Sequence, residues 1–222
     1  MNFGLIVSRL GEGFLTTLEI FFLTLLFSLP LGLLISFCSM SKFKPISWLS
    51  KTAVWVVRGT PLLLQLIVVY FLPWTLFKIP MRNLNFPFME WKMLAVIIAF
   101  SLNYAIYFSE IYRSGIQSIS RGQYEAGAVL GLTKSQTFRK IVFPQVVKRI
   151  MPPMSNEIIT LVKDTALVSI IMVVEITREA YNIVAAFGSI TPLFYSGAFY
   201  LIFNGLLTVL FSFIERKLSY YR

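Results

Sequence analysis

Five apolar runs, each on the scale of a lipid bilayer, constrain this chain more than any other feature. A spanning helix needs about 20 mostly apolar residues to cross a hydrocarbon core of roughly 30 Å. The runs fall at about residues 14–38, 60–77, 93–112, 153–174 and 196–214, the fourth being the most polar. Inside hydrocarbon every backbone N–H and C=O must find a partner, so runs of this length become helices. The expected fold class is an all-α membrane protein, one domain over residues 1–222 with five transmembrane helices. Pro30 and Gly32 interrupt the first run, which is tolerated where neighbouring helices re-satisfy the backbone. Composition agrees: 57% of the residues are hydrophobic and 14% charged. A soluble domain averages roughly 45–50% and about 25%.

The net charge of +10 invites a nucleic-acid reading, but position argues otherwise. Segments 39–59, 113–152 and 215–222 together hold 14 of the 20 lysines and arginines, and the opposite side holds 5. Cytoplasmic loops are the basic ones. The split therefore places the N-terminus outside and the C-terminus in the cytoplasm, and no nucleic acid is needed to explain the charge. No RNA- or DNA-binding pattern is present either. Arg9 is offset by Glu12 and Glu19, and no A-x-A-like site follows the first run. That run is expected to insert and stay rather than to be cleaved.

Several chemistries are excluded. The chain has no histidine and one cysteine, Cys38, so a disulfide or a Cys/His metal site is not available within it. Neither G-x-S-x-G nor H-E-x-x-H occurs, which argues against an intramembrane enzyme. The nearest text to a P-loop, Gly127 to Ser135, has the wrong spacing and no preceding strand. No catalytic residue, metal or cofactor is expected. No inverted repeat of the kind many secondary transporters show is visible.

The loop between the third and fourth runs, about residues 120–145, is the most informative stretch. Ser120 with Gln123, and Thr133 with Gln136, have capping-box spacing. Gly131 sits where a helix end wants a left-handed residue, and Pro144 is placed to stop a helix. Two short helices are expected on the cytoplasmic face. Glu125, Ala126, Gly131, Ile141 and Pro144 stand at the spacing of the E-A-A coupling loop of type I ABC importer permeases, which this segment resembles. Gly127 replaces the second Ala and Phe143 replaces Leu. Further stretches look like the polar amino-acid subfamily: Gly13 to Leu18, Arg58-Gly-Thr-Pro-Leu-Leu-Leu-Gln65, Glu110 to Ile119, and Lys163-Asp164-Thr165 with Ala166.

The resemblance implies a permease that works with a dimer of ABC ATPase subunits, an extracytoplasmic solute-binding protein and a second permease copy, identical or different. ATP would then be bound by the ATPases. Arg121, Glu125, Ala126, Gly131, Ile141 and Pro144 would form the surface that docks on them.

Ionisable groups within spans are functional candidates. Lys163 and Asp164 fall in the middle of the fourth run and point about 100° apart on a helix. Thr160 shares a face with both. A zwitterionic amino acid would suit the pair, and an inter-helix salt bridge is the plainer alternative. Asn103, Tyr104 and Leu167 are weaker pathway candidates, with packing the plainer role for Asn103. Arg58 and Thr60 read as interface anchors, and Glu110 as an ion pair with Arg113. Ala166, Leu167 and Val168 cannot neutralise a cation. The resemblance implies that carriers of cationic amino acids can place an acid shortly after the K-D-[ST] motif. None follows here and Asp164 would meet the α-ammonium, so the expected substrate is neutral or polar, such as glutamine or cystine, rather than arginine or lysine. The alternative is a cationic amino acid or another small solute, with the site mainly on a partner permease.

Two outer segments read as interfacial. Residues 78–92 carry Phe86, Phe88 and Trp91 beside prolines. Residues 175–188 place Ile176, Ala180, Ile183, Val184 and Phe187 on one stripe, suited to a surface-lying helix or to an outer gate that meets a partner.

Overall fold

The computed structural model describes residues 3–80, 84 and 89–218. Phe86, Phe88, Arg82 and Arg222 lie outside the described residues. The described chain is built from helices: α1 (Phe3–Ser39), α2 (Lys44–Arg58), α3 (Leu62–Phe77), α4 (Trp91–Gln117), α5 (Arg121–Val129), α6 (Lys134–Thr137), α7 (Phe143–Asp164), α8 (Ile176–Phe187) and α9 (Thr191–Leu218). A π-helical turn, Phe138–Val142, joins α6 to α7, and a 3-10 segment, Thr165–Ile171, follows α7.

Among the described residues, α1, α4 and α9 are long and apolar enough to cross a membrane. A fourth crossing is reached if α2 and α3, bent by 108° at a short break, form one span. Three boundaries therefore differ from the expected runs. The first helix begins eleven residues earlier and runs unbroken through Pro30. The second is preceded by α2, which the lysines at 42, 44 and 51 disguise as a loop. The fourth reaches back to Phe143 and tightens into 3-10 geometry at Thr165.

The most extensive packing is between α1 and α4. Thr17, Thr24, Ser28, Gly32 and Ser36 recur at steps of seven and four, so they line one buried face of α1. Small residues on that face let helices approach closely. Phe21, Leu66, Phe100, Tyr104, Phe108, Leu161 and Val168 fill the central core.

The 175–188 stripe turns inward. Ile176, Ala180 and Ile183 are buried with Ile6 and Leu10 of α1, while Phe187 is exposed. Glu175 caps α8 by accepting from the backbone N–H groups of Thr177 and Arg178, both at 2.8 Å. Its carboxylate also accepts from the Tyr200 hydroxyl of α9 at 3.0 Å. Arg9 of α1 meets Glu179 at 2.6 Å. Glu179 is buried at this ion pair. In contrast, α9 shows Leu201, Ile202, Leu206, Val209 and Phe213 on its outside, as a lipid-facing span does.

Candidate functional site

The break between α2 and α3 organises the centre of the molecule. Gly59 ends α2, and Pro61 opens α3 without a side-chain cap. Gln65, one turn into α3, reaches back across the gap. Its amide donates to the carbonyls of Val57 and Thr60 at 2.9 and 3.1 Å and to the Thr60 hydroxyl at 2.8 Å. Its oxygen accepts from the Asn103 amide of α4 at 3.0 Å. One side chain thus fixes the bend and ties it to α4.

A cavity of about 530 Å³ lies against this break, lined by Arg58, Thr60, Pro61, Leu62, Asn103, Tyr104, Tyr107, Glu157, Thr160 and Asp164. The Tyr104 hydroxyl donates to an Asp164 oxygen at 2.7 Å, a charge-assisted bond across helices. Asp164 thereby finds its inter-helix partner in a hydroxyl. The Thr160 hydroxyl donates to the Asn156 carbonyl one turn back. Four expected pathway residues, Asn103, Tyr104, Thr160 and Asp164, come together here. Lys163 is exposed and does not line the cavity, and Leu167 packs half-buried against the core.

Glu157 and Tyr107 were missed. Glu157 lies two turns before Asp164 on the same face of α7, about 10 Å along the axis. It is an acid inside the fourth run, and that alone marked it. Arg58 and Thr60, expected as interface anchors, also line the cavity. Arg58 sits 5.5 Å from the Tyr107 ring centroid and 3.9 Å from a Glu110 oxygen. Glu110 is already held at both oxygens by Arg113, at 2.9 and 2.6 Å, as the sequence predicted for that pair.

The 120–145 loop folds as a helix, a tight turn and a second short helix. Gly131 has φ of +71°, the left-handed conformation expected there. The Leu132 N–H donates to the Gly127 carbonyl and the Gly131 N–H to that of Ala128, both at 3.0 Å, which closes α5 in a Schellman motif. The Thr133–Gln136 capping box forms, with reciprocal bonds of 3.3 and 2.8 Å. The Ser120–Gln123 box does not, because Gln123 accepts instead from Gln145 at 3.1 Å. Pro144 does not stop the helix either. It sits in the first turn of α7, where its missing N–H is tolerated and the preceding π turn makes room for the ring. Arg121, Glu125, Ala126 and Gly131 are exposed, and Ile141 and Pro144 are half-buried.

Gly127 has a reason of its own. A Cβ there would lie 2.5 and 2.7 Å from the Thr137 Oγ1 and Cγ2 atoms. Gly127→Ala is therefore expected to loosen the loop, with overpacking of about 1–3 kcal/mol. Limited proteolysis of the loop in membranes checks this. Added Thr137→Ala should restore resistance, and equal cleavage of the single and double variants would refute the contact.

The family described as the binding-protein-dependent transport system inner membrane component matches residues 28–220. The chain belongs to this family. It is therefore a multi-pass transport component of the inner membrane, not a catalytic subunit. Its relatives include the arginine transport system permease protein ArtQ of Bacillus subtilis (strain 168), 38% identical over 94% of this chain and 91% of that one. The L-cystine transport system permease protein TcyB of the same strain is 37% identical over 96% of this chain and 87% of that one. Among solved structures, a chain of an amino acid ABC transporter crystallised with histidines superposes with a TM-score of 0.83 at 31% identity, covering 98% of this chain and 99% of that one.

Proposed function

We propose that the chain is the membrane-spanning permease subunit of an ATP-driven amino-acid importer, with its substrate held in the cavity at the α2–α3 break. That cavity carries the reading. Discontinuous spans place a helix N-terminus, the positive end of its dipole, beside a ligand's anionic group. The uncapped start of α3 suits a substrate carboxylate, and Asp164, oriented by Tyr104, suits the α-ammonium. The relatives named for arginine and cystine transport agree with an amino acid as substrate.

Two side-chain classes follow from where Arg58 stands. A neutral or polar amino acid, with glutamine and cystine as examples, fits if Arg58 answers Glu157 and leaves Asp164 to the α-ammonium. A cationic amino acid fits if Arg58 stays near Glu110, because Glu157 then remains as a second acid. The presence of Glu157 in the cavity favours this second reading. Uptake of labelled glutamine, cystine and arginine at equal concentration, in proteoliposomes holding the complete transporter, decides between them. Failure to take up any amino acid would sink both.

The 120–145 loop is read as the docking element for a dimer of ABC ATPase subunits. Its tip presents Val129 and Leu130, 87% and 73% exposed, an apolar pair unsuited to water and suited to a protein cleft. ATP is assigned to those subunits. A second permease copy and an extracytoplasmic solute-binding protein complete the assembly. The five spans are α1, the bent α2–α3 pair, α4, α7 with its 3-10 extension, and α9. Of the basic segments, 113–152 and 215–222 lie on the cytoplasmic side, whereas 44–58 belongs to the bent span as α2. A phosphatase reporter fused to the C-terminus and active only in the periplasm is expected to stay silent, and strong activity would reverse this orientation.

A further inference from the structure

Arg58 stands at a junction that the pathway reading leaves unexplained. It lines the substrate cavity and also a second cavity of about 480 Å³, bordered by Glu110, Arg113, Ser118 and Arg149 near the cytoplasmic end of α4. Tyr107 and Glu157 are likewise common to both. The wall between the two spaces is therefore built from an arginine, an aromatic ring and an acid.

The guanidinium is loosely held. Glu110 has both oxygens taken by Arg113, so Arg58 at 3.9 Å is a surplus cation there. Its second support is the face of Tyr107, and its side chain remains 49% exposed. Across the same wall, Glu157 has no ion-pair partner within hydrogen-bonding range among the described residues. A long, charged, weakly held side chain thus lies between an acid that is already satisfied and one that is not. The backbone beneath it is the C-terminal end of α2, favourable for a cation, and next to the bend.

We propose that Arg58 is a tethered counter-cation of the substrate pathway. It swings from Tyr107 and Glu110 onto Glu157 when no substrate cation is there, and it is displaced when a substrate ammonium or guanidinium arrives. By competing for Glu157 it weakens binding in the cavity and favours release toward the cytoplasmic space. It also sets how well a cationic side chain competes with a neutral one. This inference rests on the cavity being the substrate site.

The test is equilibrium binding of labelled arginine and glutamine to the purified permease–ATPase complex without binding protein. Binding of neither amino acid by the parent complex would defeat the substrate-site reading itself. Where the parent binds, Arg58→Gln is expected to bind arginine about fivefold more tightly, the gain when a competitor that fills a site four-fifths of the time is removed. Arginine uptake by the reconstituted complex should fall, because release slows. Tyr107→Leu removes the alternative seat, so it should weaken arginine binding. The double variant should behave as Arg58→Gln. Weaker binding of both amino acids in Arg58→Gln would show instead that Arg58 holds the substrate carboxylate, and unchanged binding would show no role, so either overturns the proposal. Should Arg58→Gln not assemble, Tyr107→Leu decides alone, with tighter or unchanged arginine binding counting against it.

Discussion

Replacing Gly131 with Val is expected to abolish uptake while leaving membrane insertion intact. The residue holds φ of +71°, and the two 3.0 Å bonds that close α5 form around it. A β-branched side chain is a genuine outlier in that conformation. The strain is about 1–3 kcal/mol, comparable to the whole stability of a two-helix excursion with little core of its own. Within α5 and α6 only Gly127 and Thr137 are buried, and Val142 of the π turn is the main apolar anchor beyond them, so the turn at Gly131 has little local packing to offset that strain. Glu125→Lys reaches the same outcome by another route. Glu125 is exposed on α5, so reversing its charge leaves the fold alone and disturbs only what docks there. Uptake, together with co-purification of the ATPase, measures both. Full transport by either variant, with the ATPase still bound, would contradict the docking role.

The second large effect is expected at Asp164. Asp164→Asn keeps the shape and removes the charge that an ammonium needs. Losing one partner of a desolvated charge pair costs roughly 2–5 kcal/mol, a drop of tens-fold to thousands-fold in uptake. Tyr104→Phe should do less. It fills the same core position but forfeits the 2.7 Å bond, at about 1.5–3 kcal/mol for a hydrogen bond to a charged group. The order Asp164→Asn worse than Tyr104→Phe, with basal ATPase activity retained in both, is the signature of a site contact. Equal uptake by Asp164→Asn and the parent would leave the carboxylate a purely structural partner of Tyr104.

Much of the spanning architecture was legible because hydrocarbon enforces one rule on every backbone group, and runs of apolar residues announce it. The 120–145 loop was legible for a different reason. Positive φ and capping act over three or four residues, so Gly131 and the Thr133–Gln136 box could be placed from spacing alone. What failed was tertiary in origin. Gln123 had the spacing for a cap but was engaged by Gln145, 22 residues away. The helix α2 was hidden because its lysines lie among apolar and aromatic residues, and averaging over the segment erased both. Arg58 and Glu157 are distant in sequence and meet at one cavity only because the chain breaks at Gly59 and Pro61. No periodicity carries that information. The inward turn of α8 was missed because Arg9, more than 160 residues away in the chain, neutralises Glu179.

The π-helical turn at Phe138–Val142 has a consequence for how the two working ends of the chain are matched in phase. A turn wider than an α turn contains one residue too many for α geometry. Deleting a single residue there would leave α5, α6 and α7 with unchanged sequences and regular ladders. Because each residue of a π turn rotates less than an α residue, its five residues turn about as far as four α residues, so α7 would keep its phase relative to the loop. Glu157 and Asp164 would stay with the cavity, while the Pro144 ring would lose the room that the wider turn makes for it. The extra residue of the π turn thus seats a proline in the run from α6 into α7 while leaving the loop and the cavity acids in phase.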